Sequence, residues 1–448
     1  MSTRKKITHI IKRDGRIIPF DQKEIADGIQ RAASSVGGHD FDLSQKITND
    51  VVKILHDCFQ APDMPIVNEI QDIIERALIE NGHARTAKAY ILHRDQREQI
   101  RHRTRYKLED PRIPYQIMYE TLIWNMEHGC DTIEKLNNRI QNGELPDLVY
   151  AAEERFNRSI RQTAEAIAEE KDRVKLVVVA GPSSSGKTTT TAKLAQKLND
   201  VGFDTVPLNL DHYFFDLEQH PKDEHGDYDF ETPEALDLTL IDEHLAALVD
   251  GKRIKMPYYD FEKGKRYLDA KDIQIHPNQV IIVDTLHGLY KPMTKSITSE
   301  QKIKVYIETI SQLRDTNGRF IRWTDIRLLR RMVRDNATRG FDPHQTIGHW
   351  HYVRRSEMKH IIPFNHEADF KLNGSLPYEL PYLKKHAFQF FPDFIRNWSG
   401  NASRRDAFIR AERVQSMLSQ IEDYNDETII PWDSLLREFI GGSVLKLH

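Results

Sequence analysis

The spacing of apolar residues changes along the chain in a way that predicts where strands and helices lie. Residues 174–180 (VKLVVVA) form a continuous apolar, β-branched run, which is typical of a strand buried on both faces of a parallel sheet. Shorter buried runs recur at residues 204–210 and 278–285. Directly after residue 186, one helical stripe carries Ala192, Leu194, Ala195 and Leu198. The pattern predicts an α/β fold with a mainly parallel sheet flanked by helices.

The first hundred residues have a different pattern. Residues 7–20 (ITHIIKRDGRIIPF) alternate apolar and polar positions around Asp14–Gly15, which predicts a hairpin, and three helical stretches follow. Gly37, Gly38 and Gly82 stand where these helices should end. We expect a small, mainly helical domain at residues 1–100, a helical connector at 101–165, an α/β domain at 166–395 and a helical extension at 396–448.

Composition narrows the class of protein. The 448 residues carry a net charge of −4, which gives no basic field of the kind expected for a dedicated nucleic-acid binder. The arginine-rich stretch at residues 94–107 is typical of a solvated helix face. Two cysteines, Cys58 and Cys130, exclude a disulfide framework and a Cys-based zinc ribbon. We expect a cytoplasmic protein without a membrane segment, because no apolar run is long enough to span a bilayer.

A phosphate-binding loop follows the first buried strand. Residues 180–191 read AGPSSSGKTTTT, which contains G-x-x-x-x-G-K-[ST] between a predicted strand and a predicted helix. Backbone N–H groups of such a loop surround phosphate oxygens, the lysine reaches the β- and γ-phosphates, and the next hydroxyl ligates Mg²⁺. We therefore expect ATP as the phosphate donor, Lys187 as a catalytic cation and Thr188 as a metal ligand. The expected ATP-binding residues are Gly181, Ser183, Ser184, Ser185, Gly186, Lys187, Thr188 and Thr189.

Two carboxylates end the next two buried strands. Ligands of open α/β sheets bind beyond the carboxyl ends of the strands, so Asp211 and Asp284 should face the reaction centre. We expect Asp211 to be the general base that deprotonates an attacking hydroxyl, with helix or turn capping as the alternative role. Asp284 has the position of a carboxylate that holds Mg²⁺ or its water ligands. The histidines between His344 and His366 have spacings that match no compact zinc motif.

Two segments between these strands have the composition of acceptor-binding loops. Residues 226–238 (GDYDFETPEALDL) and 256–269 (MPYYDFEKGKRYLD) place aromatic side chains beside carboxylates, which suits a ligand that is flat on one side and hydroxylated on the other. Further along, the helical pattern of residues 325–340 (DIRLLRRMVRDNATRG) spreads arginines around a helix. Guanidinium groups stabilise a transferring phosphoryl group, so we expect a closing lid that uses Arg330, Arg334 and Arg339.

The ordered motifs AGPSSSGKTT, LDHYF, DFETPEALD, PYYDFEKGKR, IIVDTLHGLY and RLLRRMVRDNATRG resemble the uridine kinase-like nucleoside kinases, cousins of phosphoribulokinase, over residues 150–390. The resemblance implies a P-loop kinase core, an arginine lid, Asp211 as base and a nucleoside acceptor. It places the acceptor against Glu231, Tyr259, Phe261 and Arg266, and we add Tyr213 from the LDHYF motif. Gly264 stands where uridine kinases carry a histidine that recognises the pyrimidine. An acidic acceptor bound by Lys263, Lys265 and Arg266 therefore stays open.

The first hundred residues resemble the ATP-cone, a regulatory nucleotide-binding module, through KRDGRIIPFDQKEI and IENGHARTAKAYILHRDQRE. The resemblance implies that Lys12, Arg13 and Asp21 lie near an effector nucleotide. Archaeal 2-phosphoglycerate kinases also couple an ATP-cone to a P-loop kinase core, which keeps a phosphorylated sugar or acid as the alternative acceptor. A module retained only for oligomerisation and a non-enzymatic nucleotide-sensing regulator are further alternatives. Because both families self-associate, we expect a homo-oligomer.

Overall fold

The computed structural model describes residues 7–12, 17–38, 41–59, 64–91, 112–222, 228–261, 263–276, 278–338, 340–400 and 404–445. The chain divides into two compact units, Met1–Asp110 and Pro111–His448. The arginine-rich stretch at residues 94–107 lies outside the described residues, as do Arg13 and Arg339.

The N-terminal unit packs three helices against a short hairpin. Strands β1 (His9–Ile11) and β2 (Ile17–Pro19) are antiparallel, and helices α1 (Gln22–Ser35), α2 (Phe41–Cys58) and α3 (Val67–Glu80) follow. Its core is apolar and is formed by the residues whose spacing predicted the helices: Ile10, Ile25, Ile29, Ile47, Val51, Leu55, Ile70, Ile74 and Leu78. The predicted turn at Asp14–Gly15 falls outside the described residues.

Two predicted regulatory residues of this unit are described. Lys12 directly follows β1, and Asp21 is the N-cap of α1, where its side chain accepts a hydrogen bond from the backbone N–H of Lys23 at 2.8 Å. Gly37 and Gly82 follow α1 and α3 with φ of +85° and +79°, so both helices end as predicted in the left-handed conformation that glycine tolerates.

The larger unit is built on a parallel sheet. Its strands are β3 (Leu176–Ala180), β4 (Asp204–Asn209), β5 (Ile254–Asp260), β6 (Lys265–Ile273), β7 (Gln279–Thr285), β8 (Lys302–Glu308) and β9 (Phe370–Asn373). Five of them form one sheet in the order β4-β7-β3-β8-β9, and every pairing in it is parallel. Strands β5 and β6 form a separate antiparallel hairpin. Residues 256–269, expected to be an acceptor-binding loop, therefore belong mostly to strands.

Helices cover both faces of this sheet. They are α4 (Tyr115–Glu127), α5 (Ile133–Gln141), α6 (Leu145–Ala168), α7 (Lys187–Asp200), α8 (Leu238–Val249), α9 (Trp323–Thr338), α10 (Pro343–Ser356), α11 (Glu379–Ala387), α12 (Phe391–Trp398), α13 (Arg405–Leu418) and the short α14 (Arg437–Ile440).

Alternate residues of β3 enter two different cores, as the run of apolar residues predicted. Val177 and Val179 pack into the larger core, whereas Leu176 and Val178 pack on the other face of the sheet against α8. Phe156 of the connector helix α6 lies in the larger core, and so do Val414 of α13 and Phe439 of α14. The expected connector and C-terminal extension thus share one core with the sheet.

Candidate active site

The loop between β3 and α7 has the backbone of a phosphate cradle. Gly186, the N-cap of α7, has φ of +93°, and Ser184 also lies in the left-handed region at +58°. A Cβ atom at Gly181 would lie 2.2 Å from the carbonyl oxygen of Ile307. Glycine is therefore required at both ends of the loop, because one end needs a positive φ and the other needs close backbone approach. The loop opens directly onto the N-terminus of α7, where an anion is favoured.

A buried arginine supports this loop. Arg327 of α9 donates a hydrogen bond to the backbone oxygen of Ser183 at 2.8 Å and pairs with Glu357 at 2.5 Å. Glu357 in turn accepts from the backbone N–H of Ser183 at 3.2 Å. Arg327 is fully buried and Glu308 lies 3.1 Å from its Nε. This group fixes the shape of the loop and leaves Arg327 no freedom to approach a ligand.

Two oxygen ligands meet at the mouth of the loop. The hydroxyl of Thr188 donates to Oδ2 of Asp284 at 2.7 Å. Burial raises the pKa of Asp284 to about 6, while Lys187 and the Thr188 hydrogen bond oppose the rise. A hydroxyl and a carboxylate are donors that Mg²⁺ prefers, and a bound cation would favour the ionised carboxylate. The donor set therefore fits the expected magnesium position.

Lys187 lies beside three carboxylates. Burial lowers its pKa, and the negative charges of Asp284, Glu438 and Asp211 oppose that change. The lysine Nζ donates to the backbone oxygen of Pro182 at 3.1 Å. A lysine held at this point can move a short distance to a phosphate oxygen.

Asp211 stands next to this centre because of the strand register. Asn209, the last residue of β4, pairs with Asp284 in β7, and Asp211 follows two residues later in a 3₁₀ turn. The side chain of Asn209 caps that turn by accepting from the backbone N–H of Asp211 at 2.9 Å. The N-cap of the turn that contains Asp211 is therefore Asn209.

Glu231 connects the acceptor segment with the lid helix. Its carboxylate accepts from Arg331 at 2.6 Å, and the same guanidinium nitrogen lies 3.1 Å from the hydroxyl of Ser183 in the P-loop. The backbone oxygen of Glu231 accepts hydrogen bonds from His287 at 3.0 Å and from Ser356. Arg331 thus bridges the P-loop and the segment expected to bind the acceptor.

Aromatic rings gather beside the 3₁₀ turn that carries Asp211. The ring centroids of Tyr259 and Phe261 lie 4.9 Å apart, and Phe214 lies 5.7 Å from Tyr259. Phe261 is 62% exposed, so one face of this cluster is open to a ligand. Tyr213, also expected to bind the acceptor, is buried in the core with its hydroxyl 2.9 Å from His244 of α8.

Three basic side chains at the turn of the β5–β6 hairpin are paired with carboxylates. Arg266 bonds Asp237 at 2.9 Å and is only 14% exposed. The neighbouring ion pairs are Lys263 with Asp260 at 2.8 Å and Lys265 with Asp216 at 3.6 Å. Each of these three cations has an anionic partner within the hairpin or beside it.

The predicted lid arginines have different environments. Arg330 is completely buried and forms two hydrogen bonds to Glu379, at 2.6 and 3.0 Å. It also donates to the backbone oxygen of Gly374 at 2.7 Å, so this conformation gives it a structural role rather than the expected catalytic one. Arg334 pairs with Asp335 at 2.8 Å and lies close enough to Lys187 to lower its pKa. Arg339 is outside the described residues.

Two polar residues of the site were not selected from the sequence. Arg331 is adjacent to Arg330 in a stretch where every arginine looks equivalent, and its role depends on the distant Glu231. Glu438 of α14 accepts hydrogen bonds from the backbone N–H of Thr189 at 3.0 Å and from its hydroxyl at 2.8 Å. No sequence motif marks Glu438.

Within the residues that the structure describes, no group of three histidine, cysteine or carboxylate side chains is arranged to hold a metal ion. None of the described helices is long and apolar enough to cross a membrane.

Comparisons with known proteins agree with this geometry. The model of the phosphoribulokinase/uridine kinase family matches residues 176–375, and that of the ATP cone domain matches residues 8–99. The chain is 30% identical to the uridine kinase of Chloroflexus aggregans, over 44% of this chain and 86% of that protein. It is also 30% identical to the uridine kinase of Oceanobacillus iheyensis, over 43% of this chain and 83% of that protein.

The comparison with a solved structure is weaker than the sequence matches. The D-glycerate 3-kinase of Cryptococcus neoformans covers 59% of this chain and 90% of its own with 15% identity and a TM-score of 0.26, so the assignment depends on the sequence matches. The parallel sheet, the P-loop and these matches lead to one conclusion: the chain belongs to the phosphoribulokinase/uridine kinase family of P-loop kinases.

Proposed function

We propose that this protein transfers the γ-phosphoryl group of ATP to a hydroxyl group of an uncharged acceptor, a nucleoside. The observation that carries the acceptor class is the charge pairing on the β5–β6 hairpin. Arg266, Lys263 and Lys265 are each paired with a carboxylate. An acidic acceptor bound by Arg266 would have to compete with Asp237 for its guanidinium group, whereas a neutral acceptor would not.

The aromatic cluster supports the same acceptor class. Phe261 presents an exposed ring supported by Phe214 and the buried Tyr259, and stacking on such a ring suits a flat base. Glu231 supplies a carboxylate that can accept hydrogen bonds from hydroxyl groups. The relatives named uridine kinase make pyrimidine nucleosides the first candidates.

Each of these polar side chains has one role in the proposed reaction. Lys187 and the P-loop N–H groups hold the phosphates, and Asp211 accepts the proton of the attacking hydroxyl. Arg331, between Ser183 and Glu231, is placed to stabilise negative charge between donor and acceptor. Mg²⁺ held by Thr188 and Asp284 would neutralise charge on the phosphates.

The N-terminal unit adds regulation to this proposal. Its match to the ATP cone domain suggests that an adenine nucleotide bound there sets the rate of the kinase unit. Lys12 and Asp21, which lie at the end of β1 and the start of α1, are the described residues proposed to lie near that effector.

The test is a screen for ADP release with nucleosides, sugar phosphates and glycerate derivatives as acceptors. We expect turnover with a nucleoside and none above background with the anionic acceptors. The matched control is Lys187→Ala, which should abolish turnover because it removes the charge that holds the β- and γ-phosphates. Turnover only with a phosphorylated sugar or acid would replace the nucleoside by the alternative acceptor. No turnover with any acceptor would favour a nucleotide-sensing regulator.

A further inference from the structure

A carboxylate of the chain lies inside the nucleotide site. Thr189 belongs to the first turn of α7, and both its backbone N–H and its hydroxyl donate to Oε2 of Glu438, at 3.0 and 2.8 Å. The first-turn N–H groups of a P-loop helix are the ones that bind phosphate oxygens. Glu438 therefore uses a hydrogen-bond donor that a bound nucleotide would also use.

The segment that carries Glu438 is firmly anchored. Asp433 pairs with the buried Lys193 of α7 at 2.6 Å, and the hydroxyl of Ser434 donates to Glu153 at 2.6 Å. Leu435 packs against Gly186, where a Cβ atom would lie 2.4 Å from a Leu435 methyl group. Because these contacts hold the backbone before Glu438, the side chain of Glu438 is the part that can move.

A second carboxylate on the P-loop provides a contrast. Glu357 accepts from the backbone N–H of Ser183, but it is buried and is neutralised by Arg327 and Arg354. Glu438 is only partly buried, and its charge acts on Lys187 and Asp284. Glu357 therefore has a structural role, whereas Glu438 adds negative charge where phosphates would bind. The negative charges of Glu438 and of bound phosphates would repel each other, most strongly where water is excluded.

We propose that Glu438 is a built-in competitor of the donor nucleotide, which must displace its carboxylate from Thr189 before the phosphates can bind. The inference rests on the proposed function in one respect, that ATP is the ligand of the P-loop. The competitor lowers the affinity for ATP without touching the acceptor side of the site. It therefore sets the ATP concentration at which the kinase becomes active.

The experiment is calorimetric titration of the full-length protein with ATP, without acceptor, for wild type, Glu438→Gln and Lys187→Ala. The binding step that Lys187→Ala loses identifies the P-loop site, apart from any ATP bound by the N-terminal unit. Removing the charge should tighten ATP binding at least about tenfold, equivalent to about 1.4 kcal/mol. The matched control is Glu412→Gln, an exposed glutamate of α13, which should leave the affinity unchanged. Glu438→Asp withdraws the carboxylate by one methylene and should tighten binding about threefold. It serves as the test if the melting temperature shows that Glu438→Gln does not fold.

Three other results would contradict the inference, and they differ in what they mean for the proposed kinase function. Equal affinity in wild type and Glu438→Gln would overturn the inference and leave the proposed kinase function intact. Weaker binding in Glu438→Gln would also overturn it, because Glu438 would then help to hold the nucleotide. A wild-type protein and variants that all fail to bind ATP would overturn both proposals.

Discussion

For Arg330 the sequence predicts a catalytic role in the lid, whereas its buried contacts indicate a structural role. Its guanidinium makes two hydrogen bonds to Glu379 and one each to Thr309, at 3.0 Å, and to the backbone oxygen of Gly374, at 2.7 Å. Arg330→Met keeps an unbranched apolar side chain and removes the charged guanidinium group. Breaking a buried ion pair from one side costs about 3–5 kcal/mol, because the other charge stays buried without compensation. In a unit of this size, that loss lowers the melting temperature by about 5 °C.

The pH dependence identifies the cause of the loss. Burial raises the pKa of Glu379, and Arg330 opposes the rise, so removing Arg330 raises that pKa further. A carboxyl group with a raised pKa in the folded state stabilises the fold at low pH, and this contribution is lost as the pH rises through the raised pKa. The penalty of Arg330→Met should therefore be larger at about pH 8 than at about pH 5.5.

The assay is thermal unfolding by circular dichroism, with kinase activity measured on the same samples below the transition. The double variant Arg330→Met/Glu379→Leu should recover most of the lost stability, because an apolar pair of similar volume replaces the ion pair. A single variant that melts like wild type but has lost its activity would refute the structural role of Arg330. That result would support the catalytic role in the lid that the sequence predicts for Arg330.

Three further predictions concern neighbouring parts of the molecule. Arg331→Met should lower kcat at least about a hundredfold with little change in melting temperature, because the residue is only partly buried and bonds Glu231 beside the P-loop. The control is Arg158→Met, at an exposed site. A stable and fully active Arg331→Met variant would contradict the proposed role of Arg331 in stabilising the transferring phosphoryl group. Asp211→Asn should lower kcat at least about a hundredfold while ATP affinity measured by calorimetry stays unchanged. A kcat within about threefold of wild type would show that Asp211 is not the base. Deleting residues 1–110 should leave a kinase whose rate no longer responds to ATP or dATP as effector, and an unchanged response would exclude the N-terminal unit as the sensor.

Local signals in the sequence predicted the centre of the larger unit. The apolar run before Gly181, the loop itself and the stripe on α7 involve residues close in sequence, so each could be recognised without knowing the fold. Placing Asp284 beside Thr188 needed only the rule that the carboxyl ends of parallel strands meet at one edge of the sheet.

What could not be predicted depends on partners distant in sequence. The stretch of residues 327–334 has four arginines at similar helical positions. Arg330 is held in its buried position by distant partners such as Glu379, 49 residues further along the chain. Tyr213 lies two residues from Asp211, yet its ring turns into the core because the 3₁₀ turn directs it towards His244. Helical or strand periodicity contains no information on either partner.

The packing of Leu435 against Gly186 has a consequence for the synthesis of the protein. The P-loop is one of the most local motifs in the chain, but the side chain that fills the space behind its second glycine is encoded about 250 codons later. At a translation rate of about 5–20 residues per second, the ribosome needs about 10–50 s to cover that distance. During this interval the nascent chain contains the phosphate-binding sequence but not Leu435, which packs behind Gly186 in the folded protein. We therefore expect the nucleotide site to reach its folded shape only after this distant segment has been synthesised and has packed against the loop.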